Sequence, residues 1–218
     1  MEDTEIITLE KWYELSEMAN GKRQVMLAAL HLFADNGINN TSTAQIAKQA
    51  GVSQATIFKY FHTKDELLMA ILDPLFNNLF SEYKSTFKDK ISEVATDKQI
   101  SLQQVIYTLV KDRFNIVFEN RNAVIILITG ILIDDKIRQR FVSLLQTGVS
   151  EIGPKLLELL SQFSEFNQDL SLYELLRIFI GQIASYFIIH EKILPDAQYD
   201  VENDVKRLSF ELYRAITK

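Results

Sequence analysis

Between residues 22 and 36 the apolar side chains fall at Val25, Ala28, Ala29, Leu32 and Phe33. These are positions i, i+3, i+4, i+7 and i+8, the stripe of one amphipathic helix. Asn36-Gly37 follows, a pair suited to a left-handed C-cap. Ser42, with Gln45 three residues later, spells a capping box and predicts a second helix carrying Ile46, Ala47 and Ala50 that stops at Gly51. Ser53 predicts a third helix from Gln54, and Thr63 with Glu66 a fourth, carrying Leu67, Leu68, Ile71 and Leu72. Apolar periodicity continues through Leu75, Leu79, Tyr83 and Phe87 and breaks near "ATDKQIS" (95 to 101), so the fourth helix reads as a long connector. Further helices are predicted at about 101 to 119, 121 to 132, 134 to 162, 169 to 192 and 199 to 217, with Pro154 kinking or interrupting the one from 134. Ahead of them all, "ITLEKWYELSEMANG" puts Leu9, Trp12, Tyr13 and Ser16 on one face of an extra amphipathic helix, with Asn20-Gly21 as its stop and Trp12 as its packing residue.

Composition agrees with an all-α chain: seven Gly and three Pro in 218 residues, 47% hydrophobic, enough to bury a sizeable core. The expected layout is an acidic helical extension (1 to 20), a helix-turn-helix domain (21 to 68) and a larger helical domain (69 to 218). With no Cys, disulfides, thiolate nucleophiles and Cys-ligated metals are excluded. His31, His62 and His190 sit in separate segments, and no HExxH, glycine-rich phosphate loop or serine elbow occurs, so neither an enzyme nor a cofactor or metal site is expected. Asp134-Asp135 reads as a helix cap rather than an acid pair. The longest apolar run, "AVIILITGILI" (123 to 133), is too short to span a bilayer, and the first twenty residues are acidic, so a cytoplasmic protein is expected.

Charge refines this picture. The chain carries a net charge of −6, which speaks against phosphate binding, yet the sign is uneven. Residues 1 to 20 hold six acids and one Lys; residues 21 to 70 hold five bases (Lys22, Arg23, Lys48, Lys59, Lys64) against three acids. Only the segment with the closely spaced caps is basic. There, Ala47 is small where two helices cross, Gly51 can take positive φ in the turn, and Val52 and Ile57 fill the angle between them, the grammar of a helix-turn-helix. With Ile57 and Phe61 inward, Gln54, Ala55, Thr56, Phe58, Lys59 and Tyr60 are left to face outward, a surface that suits a DNA major groove.

Read together, "ALHLFADNGINNTSTAQIAKQAGVSQATIFKYFHTKDELLMAIL" (29 to 72) resembles the DNA-binding domain of the TetR family of bacterial transcriptional regulators. The resemblance rests on the "LF...G" of the first helix, the "IA..AGVS" run, "F.YF" and the "K.EL" opening of the fourth helix. It implies a homodimer on a roughly palindromic operator, with repression the usual outcome. It places Gln54, Ala55, Thr56, Phe58 and Tyr60 in the groove and Lys64 on a phosphate. Lys59 is open to phosphate or guanine, and Thr43 and Lys48 can supply contacts that Ala44 cannot. For Phe58 and Tyr60 a second reading stays open, that they pack the third helix on the first.

Beyond residue 75 the resemblance rests on length and helicity alone. Helix 169 to 192 is apolar almost all round, and Val201, Val205, Leu208, Leu212 and Ile216 stripe the last helix. These two helices are expected to form a four-helix bundle with a second subunit, the alternative being that they complete the monomer core. The resemblance further implies a small molecule that swings the fourth helix and releases DNA. Tyr107, Phe114, Phe118, Phe141, Phe179 and Tyr186 are the candidate pocket lining, or else plain core, with Arg113 and Arg177 as the available charges. An apolar or amphipathic effector is expected; control by a protein partner docking on the C-terminal domain is the alternative.

Overall fold

The structure, a computed structural model, describes residues 7–96, 99–196 and 198–218, without the side chains of residues 78–80. The described residues form helices α1 (Leu9–Leu15), α2 (Asn20–Asn36), α3 (Thr43–Ala50), α4 (Gln54–Tyr60), α5 (Lys64–Pro74), α6 (Phe80–Thr96), α7 (Leu102–Glu119), α8 (Arg121–Ile133), α9 (Asp135–Ser161), α10 (Leu172–Ile188) and α11 (Val201–Ile216). π-helical segments join α5 to α6 (Leu75–Leu79) and extend α10 (Ile189–Ile193). The chain divides into two compact units, one of residues up to Glu82 with Glu119–Leu145, the other of Tyr83–Phe118 with Gln146–Lys218. The expected boundary at residue 68 falls inside the first unit, because α2 packs on α8 as well as on α3 and α5.

The N-terminal caps form as their spelling predicts. Ser42 and Gln45 close a full capping box, Ser53 Oγ accepts from Thr56 N–H, and Gly51 takes φ 67 to end α3. At Thr63 the cap is divided: Thr63 Oγ1 accepts from Glu66 N–H at 3.0 Å, while Glu66 Oε2 accepts from His62 N–H at 2.7 Å. Asp134 Oδ1 accepts from the N–H groups of Lys136 and Ile137, so this residue does cap α9.

Several expectations are corrected. Asn20 and Gly21 begin α2 rather than ending the first helix, which stops at Ser16, where its N–H and hydroxyl both return to Trp12 O. Helix α9 runs continuously through Pro154. The connector instead changes winding after Pro74, which has no N–H for the Ala70 carbonyl, and Leu79, counted in its apolar period, lies outside the described side chains. Helix α10 starts at Leu172, not 169, set by a capping box between Ser171 and Glu174. With its π segment it spans Leu172–Ile193, 22 residues long and apolar enough by length and composition to cross a bilayer, a property that a count of consecutive apolar residues did not register. Its Leu175, Phe179, Ile183 and Phe187 are buried within the chain.

Candidate nucleic-acid interface

In the first unit the reading surface stands on a buried frame of Val25, Leu30 and Phe33 from α2, Ile46 and Ala47 from α3, Ile57 and Phe61 from α4 and its end, and Leu67, Ile71 and Leu72 from α5. The α2–α3 loop is tied by two side chains. Thr41, buried, donates its hydroxyl toward Leu32 O and Gly37 O (3.0 and 2.9 Å), and Lys64 Nζ donates to Ile38 O (2.8 Å) and Thr41 O (3.3 Å). Lys64, expected on a phosphate, is half-buried with its ammonium engaged with two carbonyls, because the start of α5 lies against that loop.

Of the other expected DNA contacts, Lys48, Gln54, Ala55, Phe58 and Lys59 are exposed, and Thr43, Thr56 and Tyr60 are half-buried. Phe58 is 47% exposed, so much of its ring faces solvent. Tyr60 and Thr56 behave otherwise. A Cβ added at Gly21 would meet Tyr60 Oη at 3.4 Å and Thr56 Cγ2 at 3.9 Å, so one flank of α4 lies along the start of α2. The Thr56 hydroxyl is also within 2.9 Å of Ser53 Oγ, and Gln54 Nε2 donates to Thr43 Oγ1 at 3.4 Å, joining the first residues of α3 and α4. Lys59 Nζ lies 5.9 Å from the Tyr60 ring, and Lys22 Nζ 5.5 Å from that of Phe61, so two cations flank the helix. A short helix, firmly framed, with an exposed face of one amide, one methyl, one ring and one ammonium can reach base edges and phosphates but has no group arranged for covalent chemistry.

The sequence profile described as bacterial regulatory proteins, tetR family, matches residues 25–71, the frame and face just described. Residues 25–71 are thus a TetR-type DNA-binding domain. It is 34% identical over 76 residues to the fatty acid metabolism regulator protein of Bacillus subtilis (35% of this chain, 37% of that one) and 37% identical over 70 residues to the HTH-type transcriptional regulator LuxR of Vibrio harveyi (32% of each). The chain therefore matches about a third of the length of these curated relatives. Among solved structures, the fatty acid degradation regulator FadR from Bacillus halodurans superposes with a TM-score of 0.62 at 21% identity, over 91% of this chain and 97% of that one. The transcriptional regulator FadR from Bacillus subtilis, in complex with stearoyl-CoA, does so with a TM-score of 0.56 at 21% identity, over 89% and 97%. The all-helical TetR-like fold thus extends over nearly the whole chain.

Outside this TetR-type domain, the expected pocket residues divide. Phe114 and Phe118 stack with centroids 4.2 Å apart, and Tyr186 stands 5.4 and 5.9 Å from them. Phe118 also meets Phe187 and His190, and Phe179 is buried in the same second-unit core, against which Tyr107 packs. These rings pack on one another, and Phe141 belongs to the first unit, not to this cluster. Tyr186 Oη donates to Asp204 Oδ2 at 2.7 Å; burial first, then this carboxylate, raises its pKa. Neither Arg113 nor Arg177 lines the groove beside Tyr186. Arg113 is held by Asp112 and by Tyr83 O, with burial lowering its pKa against the pull of Asp112, and Arg177 is exposed. An open groove of about 270 Å³ runs beside Tyr186, lined by Gln182, Ser185, Ile189, Asp204 and Arg207 among others.

Two groups were not anticipated. Arg140 pairs with Asp73, donates to Asn77 Oδ1 at 3.0 Å and lies 4.8 Å over the Phe76 ring, bracing the junction after α5. Asn120, buried, accepts the Leu9 N–H at 2.9 Å, and Asn122 bonds both Glu10 and His31. Both sets join residues dozens of positions apart, which no local spacing announces.

Proposed function

We propose that this chain is a sequence-specific DNA-binding transcriptional regulator that acts as a homodimer and leaves its operator when an amphipathic or apolar small molecule binds the second unit. The observation that carries the reading is the exposed face of α4, held by a capped helix-turn-helix whose residues 25–71 match the TetR family. Gln54, Ala55, Phe58 and Lys59 enter the major groove, while Thr43, Lys48 and Tyr60 lie toward the backbone phosphates. Two copies place their α4 helices about 34 to 36 Å apart, or a multiple of that.

Exposed apolar side chains support dimerisation through α10 and α11. Ile180, Ile189 and Ile193 on α10 with its π segment, and Val201 and Phe210 on α11, are exposed in the single chain. An apolar surface of this kind is normally covered. For the effector, the similarly folded FadR of Bacillus subtilis is described in complex with stearoyl-CoA, an amphipathic ligand, so a long-chain acyl-CoA is the first compound to test and a small molecule is preferred to a protein partner. Release requires differential affinity: a hundredfold preference for the DNA-free state shifts the equilibrium by about 2.7 kcal/mol.

Selection of bound duplexes from a random pool by the full chain is expected to converge on one palindromic motif. Anisotropy of the resulting complex is expected to fall on titration with stearoyl-CoA. No preferred duplex at any salt concentration overturns the DNA reading; a complex indifferent to acyl-CoA of any chain length overturns the effector assignment alone.

A further inference from the structure

The four residues that α4 leaves most exposed, Gln54, Ala55, Phe58 and Lys59, stand at i, i+1, i+4 and i+5 and so form one continuous strip on the helix surface. Thr56 and Tyr60 have turned to the Gly21 flank, and Ile57 faces the core. The middle of the strip is apolar, the Ala55 methyl beside the Phe58 ring, with the Gln54 amide at one end and the Lys59 ammonium at the other. A half-exposed phenyl ring leaves apolar surface in water without serving the core, whose side of the helix is already filled by Ile57 and Phe61. The ring has no donor or acceptor, so it cannot read the hydrogen-bonding pattern of a base edge. The apolar feature that base pairs present in the major groove is the C5-methyl group of thymine.

Taking the DNA-binding reading as given, we infer that this chain selects its operator partly through a thymine methyl group, with Phe58 as the specificity-determining residue and Ala55 closing the other side of the methyl. The neighbouring Gln54, oriented by Thr43, reads the adjoining pair through hydrogen bonds. Each half-site therefore contains a thymine whose methyl, and not only its pairing edge, is recognised.

Deoxyuridine tests this directly, because it pairs as thymidine does and lacks only the methyl. Each thymidine of the selected operator is replaced singly by deoxyuridine, and binding of the full chain is measured by anisotropy. One thymine per half-site is expected to lose about three- to fivefold in affinity, the scale of one buried methyl. The same replacement is expected to have no effect on Phe58→Ala binding and to retain its effect on Gln54→Ala. Neutral deoxyuridine at every position, or a methyl effect undiminished in Phe58→Ala, overturns the inference while a preferred operator leaves the DNA reading standing. The wild-type series needs no variant, so it decides even if Phe58→Ala folds poorly. Absence of any preferred duplex overturns both.

Discussion

Removing the Tyr13 side chain should release α1 from the DNA-binding unit. Tyr13 is fully buried and its hydroxyl donates to Ile71 O at 2.5 Å, one turn before Pro74 interrupts the hydrogen-bond ladder of α5. The backbone around it is held by Arg23, which donates to Tyr13 O and Ser16 O, and by Asn120 accepting the Leu9 N–H. Tyr13→Phe keeps the ring and leaves a buried carbonyl without this donor, a cost of about 1 to 2 kcal/mol. Tyr13→Ala also empties the ring site and costs about 3 to 5 kcal/mol, a large share of what a seven-residue helix can contribute. Trp12, the sole tryptophan, lies 5.7 Å from the Tyr13 ring and reports docking by its emission. Tyr13→Ala is expected to shift Trp12 emission to the red in native buffer, and Tyr13→Phe to lower the urea midpoint read at Trp12. The Tyr13 pKa is raised, by burial first and by Glu10 and Asp73 after it. Below about pH 10, the free tyrosine value, Tyr13 is neutral in docked and undocked states alike and adds no pH dependence to docking. Above it the undocked phenol releases its proton and the docked one does not, so docking weakens as pH rises. Tyr13→Phe should lack that alkaline loss. If Trp12 emission, its urea midpoint and its alkaline profile are the same in wild type and both variants, α1 is not held by Tyr13.

Lys64→Gln removes two charge-assisted bonds to the α2–α3 loop and is expected to lower stability by about 1 to 3 kcal/mol with little change in the salt dependence of operator binding. Lys48→Gln should reduce the log–log salt slope by about 1 at unchanged melting temperature, and the reverse pattern would return Lys64 to the phosphates. Gln54→Ala is expected to relax preference at one base pair of each half-site for about 1 to 3 kcal/mol, seen by repeating the duplex selection. Ile180→Glu with Phe210→Glu should yield a monomer by sedimentation, and a persisting dimer would place the subunit contact elsewhere.

The helix-turn-helix was legible because its determinants are local. A hydroxyl three residues from its partner N–H at Ser42, Ser53 and Thr63, a glycine where φ must be positive at Gly51, and apolar spacing within one helix all operate inside a window of a few residues. What the spelling did not reveal depended on where a chain reaches in space. Lys64 has the residue type and position of a phosphate ligand, and only the return of the α2–α3 loop, 23 and 26 residues earlier in the chain, gives its ammonium other partners. Thr56 and Tyr60 were outward on a helical wheel, and the start of α2 crosses that flank. The box of Ser171 and Glu174 is written like that of Ser42 and Gln45, and marks Leu172 as the start of α10.

The second unit was harder to read because an amphipathic stripe says that a face is covered, not by what. Val205, Leu208, Leu212 and Ile216 were expected to meet a second subunit; they are buried within their own chain, in one core with Phe114, Leu160 and Phe179. Val201, at the head of the same stripe, is exposed. The other exposed apolar residues of α10 and α11 include ones that break the amphipathic pattern: Phe210, between Ser209 and Glu211, and Ile180 and Ile188, which lie off the Leu175–Phe179–Ile183–Phe187 face of α10. A helix apolar on two sides has to be covered on two sides. One side of α10 is satisfied inside the chain, so the dimer proposal rests on the other. The same division explains the aromatic residues. Phe114 and Phe179 are buried core, while Tyr186 stands where that core meets the open groove, its hydroxyl fixed by Asp204. An effector entering along α10 and α11 would meet Tyr186 first, and separating its ring from Phe114 and Phe118 would require α7 or α10 to move.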